Sequence, residues 1–307
     1  MSLSLGAFLW ERTATEFASR AAGLEEAGFG SLAVGDHLGQ YPPLTACAAI
    51  AEATQTAQVG PLVLNNDFRH PSVLAREAAA LADLAGGRFE LGLGAGYARK
   101  EYRWAGIPYD PAEVRIARLA EAAEILRRLL AGETVSFAGE HYRVQEDSLP
   151  ELPHRVPLVI GGNSPALHAV AARWADILNF AGLRPIRGGT VEDTSDFSAD
   201  ALERQVSALA EVGRDADGEL ERHVLVQWHE VTTDREAAAR GAAKALGVSA
   251  EVALDSPYVL IGTPEEIATQ LRSHHDRFGI TRWTIFADRR DLQAADALIP
   301  VIQLLEQ

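Results

Sequence analysis

The chain has 307 residues, 47% of them hydrophobic, and a formal net charge of −15. That length supports a full core without staples, and the single cysteine, Cys47, excludes a disulfide framework and points to a reducing compartment, the cytoplasm. So acidic a chain, with no local basic patch, is not a nucleic-acid binder; no apolar run is long enough to span a bilayer, and the start MSLSLGAFLWERT lacks the basic opening of a signal peptide.

In chain order, Leu3 to Phe8 is a candidate strand, and Thr13 to Ala27 carries Ala14, Phe17, Ala18, Ala21 and Leu24 on one helical face, with Gly28 as a stop. Ser31 to Val34 is a second strand, ending in Gly35-Asp36-His37. Leu44 to Ala53 reads as a helix and Val59 to Leu64 as a third strand. Pro71 opens a helix that runs to Leu84, where a first-turn proline is at home. Arg88 to Leu93 is the fourth strand, and Val114 to Leu130 a long helix. TVSFAGEHYRV forms a hairpin around Ala138-Gly139. Val156 to Ile160 and Asp176 to Phe180 are strands five and six, with a helix from Pro165 between them. Residues 183–200 are polar and irregular and read as a loop or lid. A helix over Ala201 to Val212, a seventh strand over His223 to Val231, helices over Asp234 to Leu246 and Pro264 to Phe278, an eighth strand over Arg282 to Phe286 and a last helix complete the chain. Eight strands each followed by a helix are the pattern of a (β/α)8 TIM barrel, with insertions after strands four and six and one domain over 1–307. A doubly wound open sheet has the same periodicity.

The glycines of LGLGAG (91–96) invite a dinucleotide-binding reading. They are spaced by two, Tyr97 stands where a third glycine is wanted, and the run is the fourth strand and not the first, so the fingerprint fails. Glycines at alternate strand positions leave one face bare. Either a ring or phosphate lies against that backbone, or the glycines relieve crowding inside the barrel.

Four stretches, VGDHLGQ (34–40), VGPLVLNNDFRHPSVLAREAAALADLAGGRFELGLGAG (59–96), VPLVIGGNSPALHAVAARWADILN (156–179) and VLIGTPEEIATQLRSHHDRFGITRWTIF (259–286), resemble in their order the bacterial luciferase-like superfamily of (β/α)8 flavin and deazaflavin enzymes. The branch that uses coenzyme F420 is the most similar; the FMN branch shares the frame. The resemblance implies that His37, at a strand end, lies beside the deazaflavin ring and is catalytic; imidazole moves protons near neutral pH. The same position suits a turn-capping histidine. It implies that Leu62-Val63 is a non-proline cis peptide behind the ring, and that the cofactor contacts Asp36, Leu62, Val63, Asn66, Gly94, Ala95, Gly96, Tyr97, Gly161, Gly162 and Asn163. Asp36 orients backbone or holds His37, Asn65 and Asn66 are either ring partners or a turn pair, and His70 is a turn residue. Gly161-Gly162-Asn163-Ser164-Pro165 offers backbone N–H groups and a helix N-terminus to a phosphate.

Phe8, Trp10, Gln227 and His229 flank the mouth and are candidate substrate contacts, with core packing as the alternative. No metal site stands out: His274 and His275 are adjacent on a helix and diverge. The expectation is an F420-dependent oxidoreductase that transfers a hydride to or from a small organic substrate, with an FMNH2-dependent monooxygenase or a non-catalytic flavin-binding protein as alternatives. The resemblance also implies a homodimer. The sugar-phosphate dehydrogenase of the F420 branch carries Glu where this chain has Tyr97, so glucose 6-phosphate is not the expected substrate.

Overall fold

The computed structural model describes residues 3–186, 190–212, 214, 218–287 and 292–306. Its central sheet is parallel throughout. The strands are β1 (Ser4–Leu9), β2 (Ser31–Val34), β3 (Gln58–Pro61), β4 (Leu64–Asn65), β5 (Leu91–Gly94), β8 (Leu158–Gly161), β9 (Ile177–Phe180), β12 (Glu221–Leu225) and β15 (Ile280–Phe286), in the spatial order β3-β2-β1-β15-β12-β9-β8-β5-β4. The sheet closes on itself. β4 pairs with β5, and the Val59 amide of β3 donates to the Arg88 carbonyl at 2.9 Å while the Glu90 amide returns to Val59 at 2.9 Å. β3 and β4 are therefore two halves of one barrel strand, and the barrel has the eight strands expected.

The helices form where the apolar periodicity places them. α1 (Ala14–Glu26) is capped by Thr13, α3 spans Pro71–Leu84, α5 spans Ala112–Leu130, and α10 (Pro264–Phe278) starts with a Thr263/Glu266 capping box. Their apolar faces meet outward side chains of the strands, such as Trp283 and Ile285 of β15, in one continuous core. The inner face at the base of the barrel is polar. Arg282 pairs with Glu90 at 2.6 Å and Glu221 at 3.2 Å, and the buried His223 lies 2.8 Å from the Thr284 hydroxyl. Burial and the Arg282 charge push His223 far down from the usual imidazole range, so it stays neutral.

Several elements differ from expectation. The seventh strand is not continuous over His223 to Val231. The Val226 amide still bonds to Thr284, but the Gln227 amide turns to Tyr258, and β13 (Trp228–Val231) pairs outside the barrel with β14 (Val259–Gly262), a strand the periodicity did not single out. The described parts of 183–200 are not irregular: β10 (Arg184–Ile186) and β11 (Thr190–Asp193) form an antiparallel pair, and α7 (Ala199–Leu209) begins within the segment. Residues 187–189 of that segment lie outside the described residues. The insertion after the fourth barrel strand holds the expected hairpin, β6 (Val135–Ala138) and β7 (Arg143–Asp147), and a short helix, α4 (Arg99–Ala105). Among the described residues no helix is long and apolar enough to cross a membrane.

Glu25 ties the end of α1 to the turn that enters β3. Its carboxylate accepts the amides of Gln55, Thr56 and Ala57 at 2.7–3.0 Å. Burial works to raise its pKa, but the Ala57, Thr56 and Gln55 amides and the Thr56 hydroxyl prevail and bring it down from 4.5 to about 2. Its stabilisation is complete above 4.5 and fades as pH falls through about 2. Glu25→Gln is expected to cost about 1–2 kcal/mol at neutral pH, less than the full linkage value because the side chain is only partly buried. Thermal unfolding should show the gap from wild type closing between those two pH values.

Candidate active site

His37 sits just beyond the C-terminal end of β2, the end at which barrel enzymes place their chemistry. Nδ1 lies 2.7 Å from Glu101 Oε1, and Nε2 lies 3.3 Å from the Tyr97 hydroxyl. The Trp10 ring is 5.6 Å from the imidazole and the Tyr97 ring 5.9 Å, edge-on. Phe8, inward-facing on β1, bridges Trp10 at 5.8 Å and Phe286 at 5.3 Å. Trp10, Tyr97 and Phe286 are 40%, 51% and 36% exposed, so three of the most exposed large apolar side chains among the described residues gather at this rim. Exposed apolar surface concentrated in one place marks a binding site.

The Leu62–Val63 peptide is cis. The Val63 side chain turns into the barrel, against the strands β5 and β8. A Cβ on Gly94 would meet Val63 Cγ2 at 2.7 Å, one on Gly161 would meet Cγ1 at 3.0 Å, and one on Gly92 would meet Cγ1 at 3.2 Å. The inward face of Gly94 and Gly161 is thus filled by Val63, and that of Gly92 by the Pro61 carbonyl with Val63 beside it, which fits the alternative in which the glycines relieve crowding inside the barrel. Gly96, at φ 73°, faces Tyr102 and Asn65 in the same way.

The loop after β5 keeps its backbone for other work. Arg115 donates to the Ala95 carbonyl at 2.9 Å and also to the Gly96 carbonyl, and its Nε donates to Asp110. In trans peptides the N–H points opposite to the C=O, so the amides of Gly96 and Tyr97 face away from Arg115. Successive amides in an αR-αL or turn conformation form a concavity suited to an anion, and Gly96, at φ 73°, has the left-handed conformation such a turn uses. Across the rim, α6 (Pro165–Trp174) begins at Ser164, whose hydroxyl accepts the Leu167 amide at 3.2 Å. The buried Asn179 Nδ2, at the end of β9 beside Gly161, has no protein partner. An orphaned buried donor at a barrel mouth fits a polar ligand edge.

Other expected residues are turned elsewhere. Asp36 does not touch His37: it accepts the Asn65 amide at 3.0 Å and pairs with Arg69 at 2.6 Å. Holding His37 falls to Glu101. Asn65 caps the short turn 66–68, Asn66 donates to the Tyr142 hydroxyl at 3.3 Å, and His70 caps α3. Asn163 spends its amide on the turn after β9, accepting from Ala181 and Gly182 and donating to the Leu183 carbonyl. The Gly162 amide is held by the Asn179 carbonyl at 3.1 Å. Gln227 donates to Ala181, and His229, on β13 outside the barrel sheet, reaches the Phe286 carbonyl at 3.3 Å. His274 is buried, which depresses its pKa to about 4, and His275 bonds to the Ile280 carbonyl. Cys47 is buried and its thiol pKa raised by that burial.

A model of the luciferase-like monooxygenases matches residues 5–282. The chain belongs to that family. It is 30% identical over 220 residues to an F420-dependent glucose-6-phosphate dehydrogenase of Amycolatopsis mediterranei, covering 68% of this chain and 64% of the relative. It is 35% identical over 172 residues to the enzyme of the same name from Nakamurella multipartita, covering 53% and 50%. The chain thus matches half to two thirds of the length of these curated relatives. Among solved structures, an F420-dependent secondary alcohol dehydrogenase in complex with an F420-acetone adduct aligns with TM-score 0.77 at 19% identity over 100% of both chains. At that identity the likeness shows the barrel alone.

The residues missed from sequence are Glu101, Asn179 and Phe286. Glu101 had a local signal: Gly106 at φ 70° is the left-handed stop that ends α4. The Val63 packing makes a direct prediction. Gly94→Ala should destabilise the protein by about 1–3 kcal/mol through overpacking. Val63→Ala in the same background should recover part of that loss in urea unfolding, although alone it leaves a cavity.

Proposed function

We propose that this family member is an F420-dependent oxidoreductase that moves a hydride between the deazaflavin and a small organic substrate. The observation that carries the reading is the convergence at one rim of His37, the Val63-filled backbone and the anchored 95–97 loop, in a chain whose curated relatives are named as F420-dependent. When bound, the deazaflavin supplies the hydride acceptor or donor. The residues that would hold it are the Leu62-Val63 backbone, the Gly96 and Tyr97 amides, the backbone at Gly161, and Asn179. Trp10, Phe8 and Phe286 exclude water and orient the substrate. His37 holds or moves the proton at the reacting centre. The same reading takes the protein as a cytoplasmic homodimer that acts on small molecules, with residues 183–186 and 190–200 as a cover over the site.

Glucose 6-phosphate is not carried over from the relatives: the matched segments span about half of several of them, and Tyr97 stands beside His37. FMN is the alternative cofactor, because the family model is one of luciferase-like monooxygenases.

Titration with F420 and with FMN, followed by absorbance and fluorescence, separates the two. Micromolar binding of F420 with weak FMN binding is expected, and tight FMN binding without F420 binding would overturn the proposal. His37→Gln should lower F420-linked turnover about a hundredfold or more while leaving F420 affinity close to wild type. An unchanged rate in any hydride-transfer assay would point to a flavin-binding protein without His37 chemistry.

A further inference from the structure

His37 is engaged at both ring nitrogens by one short segment. Glu101 Oε1 lies 2.7 Å from Nδ1 and the Tyr97 hydroxyl 3.3 Å from Nε2. A carboxylate only accepts, so in the neutral ring the proton sits on Nδ1 and Nε2 carries the lone pair. The hydrogen shared between Nε2 and Tyr97 is therefore the phenol's. Glu101 is 8% exposed and Tyr97 51%, so the three groups run outward from a buried carboxylate to a hydroxyl at the rim. Tyr97 keeps its proton at neutral pH, since partial desolvation among the neighbouring side chains and the Glu101 charge both raise its pKa.

We propose that Glu101 is a positioning residue that fixes His37 as the Nδ1–H tautomer, and that Tyr97 is the hydroxyl through which His37 exchanges a proton with a hydroxyl-bearing substrate. The proposal rests on the hydride-transfer reading and deepens it. In the oxidising direction the substrate C–H bond breaks and its electron pair leaves with the hydrogen as hydride to the deazaflavin. The substrate O–H bond breaks with it, and the proton goes to the Tyr97 oxygen as the Tyr97 proton passes to Nε2. The substrate loses two electrons and becomes a carbonyl, the deazaflavin gains them, and the released proton rests on His37 as an imidazolium facing the Glu101 carboxylate. Reduction of a carbonyl runs the same steps backwards.

Long-range ¹H–¹⁵N NMR on histidine-labelled protein without cofactor reads the tautomer, with the His37 signals identified by their loss in His37→Gln. Wild type is expected to show a protonated Nδ1 and a pyridine-like Nε2. In Glu101→Gln the His37 signals should move to a tautomer mixture while the other histidine signals stay in place, which reports an intact fold. Tyr97→Phe should keep the wild-type tautomer yet lower kcat about tenfold or more with KM within about twofold. A predominant Nε2–H form in wild type, a wild-type tautomer and kcat in Glu101→Gln, or a wild-type kcat in Tyr97→Phe would each overturn the assignment. If the tautomer pattern holds but the protein binds FMN and not F420, the cofactor reading fails, the Glu101 assignment stands, and the Tyr97 arm is read on the flavin-linked rate.

Discussion

The interior of an eight-stranded barrel has to be filled, and at its upper end here Val63 does that filling against the bare Gly94 and Gly161, with the Pro61 carbonyl against Gly92. Much of the site follows from this contact. With Val63 turned inward, Leu64 and Asn65 resume pairing, with Leu93 and Gly94 as partners. Asn65 then presents its amide to Asp36 and its side-chain oxygen to the Tyr102 hydroxyl at 3.0 Å. Tyr102, wholly buried, anchors α4, and α4 brings Glu101 to His37. A packing event in the barrel wall is thus linked through one amide and one phenol to the orientation of an imidazole.

Buried charge holds the loops around that path. Asp36 pairs with Arg69, and the almost fully buried Asp67 pairs with Arg118 at 2.9 Å, which also holds Asp110. Such pairs recover only part of the cost of leaving water, so their presence is weak evidence for stability. What they supply here is direction. Asp36 binds a strand-end amide, Asp67 also accepts from Tyr102 at 2.9 Å, and Arg115 gathers the Ala95 and Gly96 carbonyls onto one side. Loops that would otherwise sample many conformations are fixed by groups whose removal would strand a partner in low dielectric.

The barrel was legible in the sequence because its helices and strands are locally consistent: α3 and α10 start and stop where Pro71, Leu84, Pro264 and Phe278 predict. The seventh strand misread has a physical cause. Val224 to Val231 is continuously β-like, and only the change of partner from Thr284 to Tyr258 breaks it, which is a tertiary event. His37 was legible as a strand-end histidine. Its partner was not, since Asp36 is adjacent in sequence while Glu101 is 64 residues away. The glycines of 91–96 leave a bare face, but periodicity does not say what covers it, and the covering groups, Val63, the Pro61 carbonyl, Asn65 and Tyr102, come from elsewhere in the chain.

The frame and the cluster around His37 are carried by different residues, which bears on what can vary without loss of fold. This chain's barrel aligns over all of its own length, at under 20% identity, with an F420-dependent secondary alcohol dehydrogenase and with a long-chain alkane monooxygenase, covering 100% and 91% of those chains. The shared wall therefore does not choose the reaction. In the segment 95–105 the division is visible within a few residues. Tyr102 and the carbonyls of Ala95 and Gly96 face inward and are tied to Asn65, Asp67 and Arg115. Tyr97 and Glu101 face His37. A change at position 97 alters the group that meets Nε2 without touching the anchors, whereas a change at Tyr102 or Arg115 moves the whole segment. The groups that meet His37 at this rim are thus free to diverge at one or two positions while the barrel, its glycine slot and its buried ion pairs stay as they are.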